Sequence, residues 1–202
     1  MNQKRAILAL KIVLWLGALT PGTWLLAGIF RGWLGANPVE RLTHVTGLTV
    51  LVLLLLTLTI TPIRRITGWN PIIRLRRPMG LFAFFYAVVH FSIWFAFDMV
   101  FNVTWMLEDI AERKYITVGM AGLLVLTPLA LTSTKGWIRR LGKKWKMLHR
   151  GAYIAPMLGV VHFYWLVKAD TRLPVFLGVC LAVLLAVRTP WVRSWKVRRS
   201  SP

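Results

Sequence analysis

The residues of this chain whose type and placement could do chemistry are its four histidines, His44, His90, His149 and His162. A neutral imidazole binds a metal through one ring nitrogen and exchanges protons near neutral pH. All four lie inside or at the edge of long apolar stretches, where an ionisable side chain is a functional hypothesis by default. At about 1.5 Å per helical residue, His90 stands about 20 Å beyond Arg77 and His162 about 18 Å beyond Arg150. The two are therefore expected at matching depth, at or just outside the middle of a bilayer. His149 falls at the inner boundary and His44 near the outer one, so these two cannot meet.

Two imidazoles at equal depth on neighbouring helices could supply the two axial nitrogens of a b-type haem held between facing helices. Each could equally well hydrogen-bond a neighbouring helix, and the residues alone leave both readings open. His149 and His162 are roughly 20 Å apart along a helix, which suits two cofactors stacked across a membrane. An ideal helix also turns them about 140° away from each other, so the spacing alone says little. Met79 and Met157 read as packing rather than as axial ligands. Cys180, the single cysteine, reads as a small buried hydrophobe and excludes a cysteine-rich metal site. No glycine-rich nucleotide loop and no catalytic triad is present, so no site for oxidising a nicotinamide or reducing a substrate is identified.

The elements that must position these histidines follow from composition. Of 202 residues, 57% are hydrophobic and 16% charged, against roughly 25% charged in soluble proteins. Six stretches near 12–30, 45–63, 79–97, 116–134, 151–167 and 173–187 approach the roughly 20 apolar residues a membrane-spanning helix needs. The last two are short, with Lys168, Arg172 and Arg188 placed to snorkel. The first reads as an uncleaved helix, because Lys11 interrupts its start and no small-residue cleavage site is clear. The prediction is an all-α, polytopic bundle of six transmembrane helices forming one domain over 1–202, with no internal repeat.

The 26 Lys and Arg outweigh six Asp and Glu, for a net charge of +20. Basic residues fill alternate connections: Lys4, Arg5 and Lys11; Arg64 to Arg77; Lys135 to Arg150; and a tail of Arg188, Arg193, Lys196, Arg198 and Arg199. All six acids, Glu40, Asp98, Glu108, Asp109, Glu112 and Asp170, fall in the other set of connections. By the positive-inside rule both termini are cytoplasmic. Trp33, Trp69, Trp105, Trp137, Trp145, Trp191 and Trp195 fall at or beyond span ends, as amphipathic rings prefer. Charge spread over membrane loops gives no case for nucleic acid as a partner. The outer connection 98–115 is amphipathic and could lie as an interfacial helix. Thr57, Thr59 and Thr61 are placed to satisfy backbone groups near a kink at Pro62.

Local sequence around the histidines is more specific. Arg77-Pro-Met-Gly80 before His90, and Leu148-His149-Arg150-Gly-Ala-Tyr153 before His162, resemble the third and fifth helices of ferric-reductase-like transmembrane domains. Together with His44-Val-Thr-Gly47, Leu131-Thr-Ser-Thr134 and Leu141-Gly-Lys-Lys-Trp145, almost the whole chain is similar to the haem-binding membrane subunits of bacterial periplasmic protein-methionine-sulfoxide reductase systems. The resemblance implies a multi-pass protein of the bacterial inner membrane. Such subunits carry electrons from the quinone pool or a cytoplasmic flavin reductase to a periplasmic molybdopterin-containing catalytic subunit, with which they form a heterodimer. It implies haem b, one or two, and FMN. His90 and His162 match the outer haem pair and would hold its iron; His149 matches one inner ligand, whose partner position holds Arg76 here. His44 lies outside both pairs and is a lesser candidate for a ligand or quinone contact.

The resemblance identifies no FMN contact, although Arg74, Arg76, Arg77 and the basic loop 135–150 have the chemistry to hold a phosphate. Glu108, Asp109 and Glu112 are candidates for docking the catalytic partner by charge. The chain is thus expected to be an electron-transfer subunit of an oxidoreductase complex. The rival readings are a stand-alone ferric or quinone reductase and a non-redox small transporter or scaffold.

Overall fold

A computed structural model describes residues 3–188 of the chain. The basic residues expected in the tail beyond Arg188, and Trp191 and Trp195, lie outside the described residues. Among the described residues the regular elements are all helical. They are α1 (Gln3–Arg31), α2 (Pro38–Thr67), α3 (Arg76–Ile93), α4 (Val103–Glu112), α5 (Lys114–Leu131), α6 (Lys135–Leu141), α7 (Lys143–Leu148), α8 (Gly151–Leu166) and α9 (Arg172–Ala186). A 3₁₀ turn, Asn70–Leu75, leads into α3, and a π-helical turn, Trp94–Asp98, extends it. Among the described residues, four helical stretches are long and apolar enough to cross a membrane: α1, α2, Asn70–Asp98 and α5. The helices α8 and α9 match the fifth and sixth expected spans to within one residue at each end.

The ends of α2 are set locally. The Asn37 side chain caps its first turn by accepting from the Glu40 amide, Pro38 opens it, and Gly68 closes it at φ +68°. A left-handed residue at this position is the glycine-favoured helix stop. The same caps carry α2 past both ends of the expected span 45–63. The outer connection does form an amphipathic helix, α4, capped by Asn102. The basic connection 135–150 folds into two short helices, α6 and α7, that apolar periodicity did not announce.

Packing closes α2, α3, α5 and α8 into a four-helix ring, with α1 outside against α2 and α3, and α9 outside against α2 and α8. The centre is Leu53, Leu54, Ala83, Tyr86, Leu126 and Ala155, with Ala18 from α1. Ala83 and Ala155 bring the backbones close, as small residues do between membrane helices. Hydrogen bonds from the C-terminal part of α3 to the start of α2, and from the C-terminal part of α8 to the start of α5, make both pairs antiparallel. Consequently all six acids lie at one end of the ring and the connections rich in Arg and Lys at the other.

Tyr86 fastens α1 to this ring. Pro21 interrupts the α1 hydrogen-bond ladder, and a side chain inserted at such a break satisfies the freed groups. The Tyr86 hydroxyl donates to the Ala18 carbonyl at 2.7 Å and accepts from the Gly22 amide at 3.0 Å. Tyr86→Phe leaves both backbone groups unpaired at almost unchanged volume. It should lower stability by about 1–3 kcal/mol, read as a lower midpoint of thermal unfolding in detergent with unchanged helix content.

Candidate functional site

A cavity of about 630 Å³ opens inside the four-helix ring toward the acidic end. His90 from α3 and His162 from α8 line it together, with ring centroids 6.1 Å apart and ring planes at 88°. The two histidines that sequence depth paired are therefore in fact neighbours. Each sits within about one turn of the end of its α-helix, nearer the acidic end than the middle. His44 is exposed and contributes to the cavity wall at its mouth, beside Asp98 and Arg113.

Each imidazole is held the same way. His90 Nδ1 donates to the Thr43 carbonyl at 3.0 Å, and His162 Nδ1 donates to the Tyr115 carbonyl at 2.6 Å. Thr46 Oγ1 lies a further 3.3 Å from His90 Nδ1. A carbonyl only accepts, so the proton is on Nδ1 and the Nε2 lone pair is left for a ligand. This second-shell arrangement is how metal-binding histidines are commonly oriented. The rings approach so closely because glycine lies under each. A Cβ on Gly47 would stand 2.9 Å from His90 Cε1, and one on Gly119 would stand 2.7 Å from His162 Nδ1.

The two cradles are copies. Thr43 to Tyr115, Gly47 to Gly119 and His90 to His162 are each an offset of 72 residues. The same offset relates buried Leu54 to Leu126 and Ala83 to Ala155. The ring is thus a duplicated helical hairpin, α2–α3 and α5–α8, where sequence inspection found no repeat. The Gly, Thr43 and Tyr115 members were also missed. Their only sequence signal is this shared spacing of a glycine and a buried leucine in one helix with an alanine and a histidine in the next.

His149 is not brought to this site. It lies at the opposite end, between α7 and α8. Its Nε2 is 3.0 Å from Thr132 Oγ1, whose own hydrogen is directed at the Pro128 carbonyl 2.6 Å away. The Nε2 of His149 therefore donates, and the ring stacks on Trp145 at 3.9 Å. Arg76, at the expected partner position, donates instead to Thr61 Oγ1 on α2. Among the described residues the His149 ring thus meets Thr132 and Trp145 rather than a second imidazole.

The acids at the cavity end also divide. Asp109 is 7% exposed and pairs with Arg113 at 2.8 Å, whereas Glu108 and Glu112 face solvent. Asp109 therefore braces α4 against the start of α5 and is unavailable for docking.

This arrangement, a helical membrane ring presenting two opposed imidazoles at one end, defines a transmembrane component of the ferric-reductase type. Residues 43–160 match the family described as ferric reductase like transmembrane component. The chain belongs to that family and, within it, to the MsrQ subunits of protein-methionine-sulfoxide reductase. It is 45% identical to the protein-methionine-sulfoxide reductase heme-binding subunit MsrQ of Herminiimonas arsenicoxydans, over 94% of this chain and 87% of that one. It is 44% identical to the subunit of the same name in Xanthomonas axonopodis pv. citri, over 98% and 94%. The Xanthomonas oryzae pv. oryzae subunit is 49% identical over 84% and 79%.

Burial at the basic end holds the His149 imidazole below its ordinary pKa. A depressed value means the folded state favours the neutral ring, so its contribution is intact above the unfolded value of about 6.5 and is lost as pH falls below it. Unfolding midpoints measured from pH 7.5 to 5 should decline for the wild type, and His149→Gln should flatten part of that decline.

Proposed function

We propose that the chain is a haem b electron-transfer subunit that crosses the bacterial inner membrane six times and feeds a periplasmic methionine sulfoxide reductase. One observation carries the reading: two imidazoles with Nδ1 held by backbone carbonyls line one cavity, which leaves the Nε2 of each free for a ligand. The ring centroids are 6.1 Å apart, a separation at which one metal ion between the rings would be within reach of both imidazoles. The cavity volume lies within the roughly 300–1,000 Å³ usual for cofactor sites. His90 and His162 fit as the axial pair, and Arg113 with His44 at the mouth has the donor chemistry to hold the haem carboxylates.

When bound, haem b supplies a one-electron couple set by its axial ligands and surroundings. The chain's own residues do the rest. The carbonyls of Thr43 and Tyr115 keep Nε2 basic and the rings oriented. Gly47 and Gly119 make room for them. Leu51, Leu54 and Leu126 keep the inner side of the cavity apolar and dry. At the basic end no imidazole pair is assembled, so a single haem is proposed.

Orientation follows from charge. The connections rich in Arg and Lys face the cytoplasm, which sets the histidine pair close to the periplasmic surface, beneath α4. There the molybdopterin-containing catalytic subunit docks and receives electrons in a heterodimer. The names of these relatives tie them to that system. The quinone pool or a cytoplasmic flavin reductase donates, with FMN as a second cofactor. The six-span count rests on α8 packing along α5 and on α9 packing along α8. At about 1.5 Å per residue both are near the short limit for a bilayer, which snorkelling of Lys168 and Arg172 extends, whereas Arg188 turns inward to the Leu58 carbonyl.

A reduced-minus-oxidised visible spectrum of the purified protein tests the site. The wild type should show b-type bands. His90→Ala and His162→Ala should abolish them, and Gly47→Ala and Gly119→Ala should cut haem content several-fold. A haem-free wild type expressed with ample haem, or histidine variants that keep the bands, would overturn the reading. Docking is checked separately. Glu108→Lys with Glu112→Lys should slow electron delivery to the catalytic subunit about tenfold at low salt, and less as salt screens the charges. Equal rates at all salt concentrations would remove these acids from the interface.

A further inference from the structure

The two histidine cradles differ in one buried hydroxyl. Thr46 on α2 is 1% exposed, and 72 residues on, at the matching place in α5, stands Val118. Threonine and valine have nearly the same shape, so the exchange is a hydroxyl for a methyl group. Thr46 Oγ1 lies 2.7 Å from the Leu42 carbonyl and 3.1 Å from the Thr43 carbonyl. Its hydrogen goes to the nearer one, as helical threonines commonly direct it. That leaves only lone pairs for His90 Nδ1, 3.3 Å away.

The Nδ1 hydrogen of His90 is therefore shared between two oxygens, the Thr43 carbonyl at 3.0 Å and Thr46 Oγ1. His162 Nδ1 has the Tyr115 carbonyl at 2.6 Å, and Val118 has no oxygen to add. Helix packing does not call for the hydroxyl, because the duplicated hairpin packs with valine at the same place. Back-bonding does not call for it either. Thr43 and Thr49 bond back to Val39 and Val45 in the same way without being fully buried.

We infer that Thr46 is a positioning residue for the axial histidine His90 and sets the balance between the two oxidation states of the iron. The inference rests on the haem reading above. An acceptor on Nδ1 orients the ring and raises the basicity of Nε2. A more basic axial nitrogen favours the iron in its higher charge, so one-electron reduction of ferric to ferrous is harder with Thr46 than without it. Nδ1 keeps its hydrogen in both states.

The repeat supplies its own control. The full-length protein, purified with haem, is titrated with a chemical reductant and redox mediators and read in its visible bands. At the potential where wild type is half reduced, Thr46→Val should raise the ferrous-to-ferric ratio about threefold, the scale of one weak neutral hydrogen bond. Thr46→Ser keeps the oxygen and should stay near wild type. Val118→Thr gives His162 the acceptor it lacks, with a hydroxyl hydrogen able to return to the Lys114 carbonyl four residues back. It should lower the ratio by a similar factor. The double variant exchanges the two cradles and should return near the wild-type ratio.

Thermal unfolding of the same samples separates the roles. A merely structural Thr46 would lower the unfolding midpoint in Thr46→Val and leave the ratio where it was, which overturns the inference. Shifts of one sign in Thr46→Val and Val118→Thr overturn it too. If Thr46→Val fails to fold or to hold haem, Val118→Thr decides, and an unmoved ratio there overturns it. In each of these cases a b-type spectrum in the wild type leaves the haem reading standing. A haem-free wild type overturns that reading first, and this one with it.

Discussion

The site depends on a hydrogen bond made twice, from a histidine Nδ1 to a carbonyl of the helix beside it. In an α-helix that carbonyl already accepts from the amide four residues on, and side chains normally screen it from lateral approach. Four residues after Thr43 is Gly47, and four after Tyr115 is Gly119, so in both helices the residue over the carbonyl has no side chain. The imidazole settles onto the glycine and reaches the oxygen. One contact therefore fixes the helix pair, the ring orientation and the tautomer. Losing the glycine would disturb all three, which is why a single methyl group is expected to matter so much.

Much of this fold was legible in the sequence because burial in a bilayer is written in side chains. Long apolar runs gave the helices, and the segregation of 26 bases from six acids gave their alternation. Matching depth gave the pairing of His90 with His162. What was not legible uses the backbone. Thr43 and Tyr115 are equivalent members of the two cradles yet different amino acids, because only their carbonyl oxygens are used. A repeat that conserves oxygens and a missing Cβ leaves little side-chain identity to detect. The expected role of Asp109 failed for a related reason. Sequence shows that an acid lies on α4 but not that its neighbour Arg113 turns back to cover it.

Proline acts on the same level. Each proline inside a membrane helix frees a carbonyl that must find another donor. Pro21 frees the Gly17 carbonyl, and beside that break Tyr86 inserts between the Ala18 carbonyl and the Gly22 amide and joins α1 to the ring. For Pro62 the donor is Arg188, which brings the end of α9 across to α2. The threonines expected to serve this kink bond other carbonyls, Thr57 to Leu54 and Thr59 to Leu56. A distant arginine takes the one that Pro62 exposes. Helix breaks that look like local defects are thus the points at which the outer helices are attached.

The duplicated hairpin also explains why the two ends of the bundle do different chemistry. At the acidic end the repeat is kept in the carbonyl, glycine and histidine of each cradle, while His44 is matched by Ile116 at the same offset. At the basic end it is broken: the 72-residue offset that pairs His90 with His162 sets Arg77 against His149. One half offers a cation and the other an imidazole that donates through Nε2. The two halves therefore present unlike groups at this end. The backbone is two-fold and the side chains are not. A bundle built this way keeps its symmetry where backbone atoms carry the contacts and loses it where side chains do.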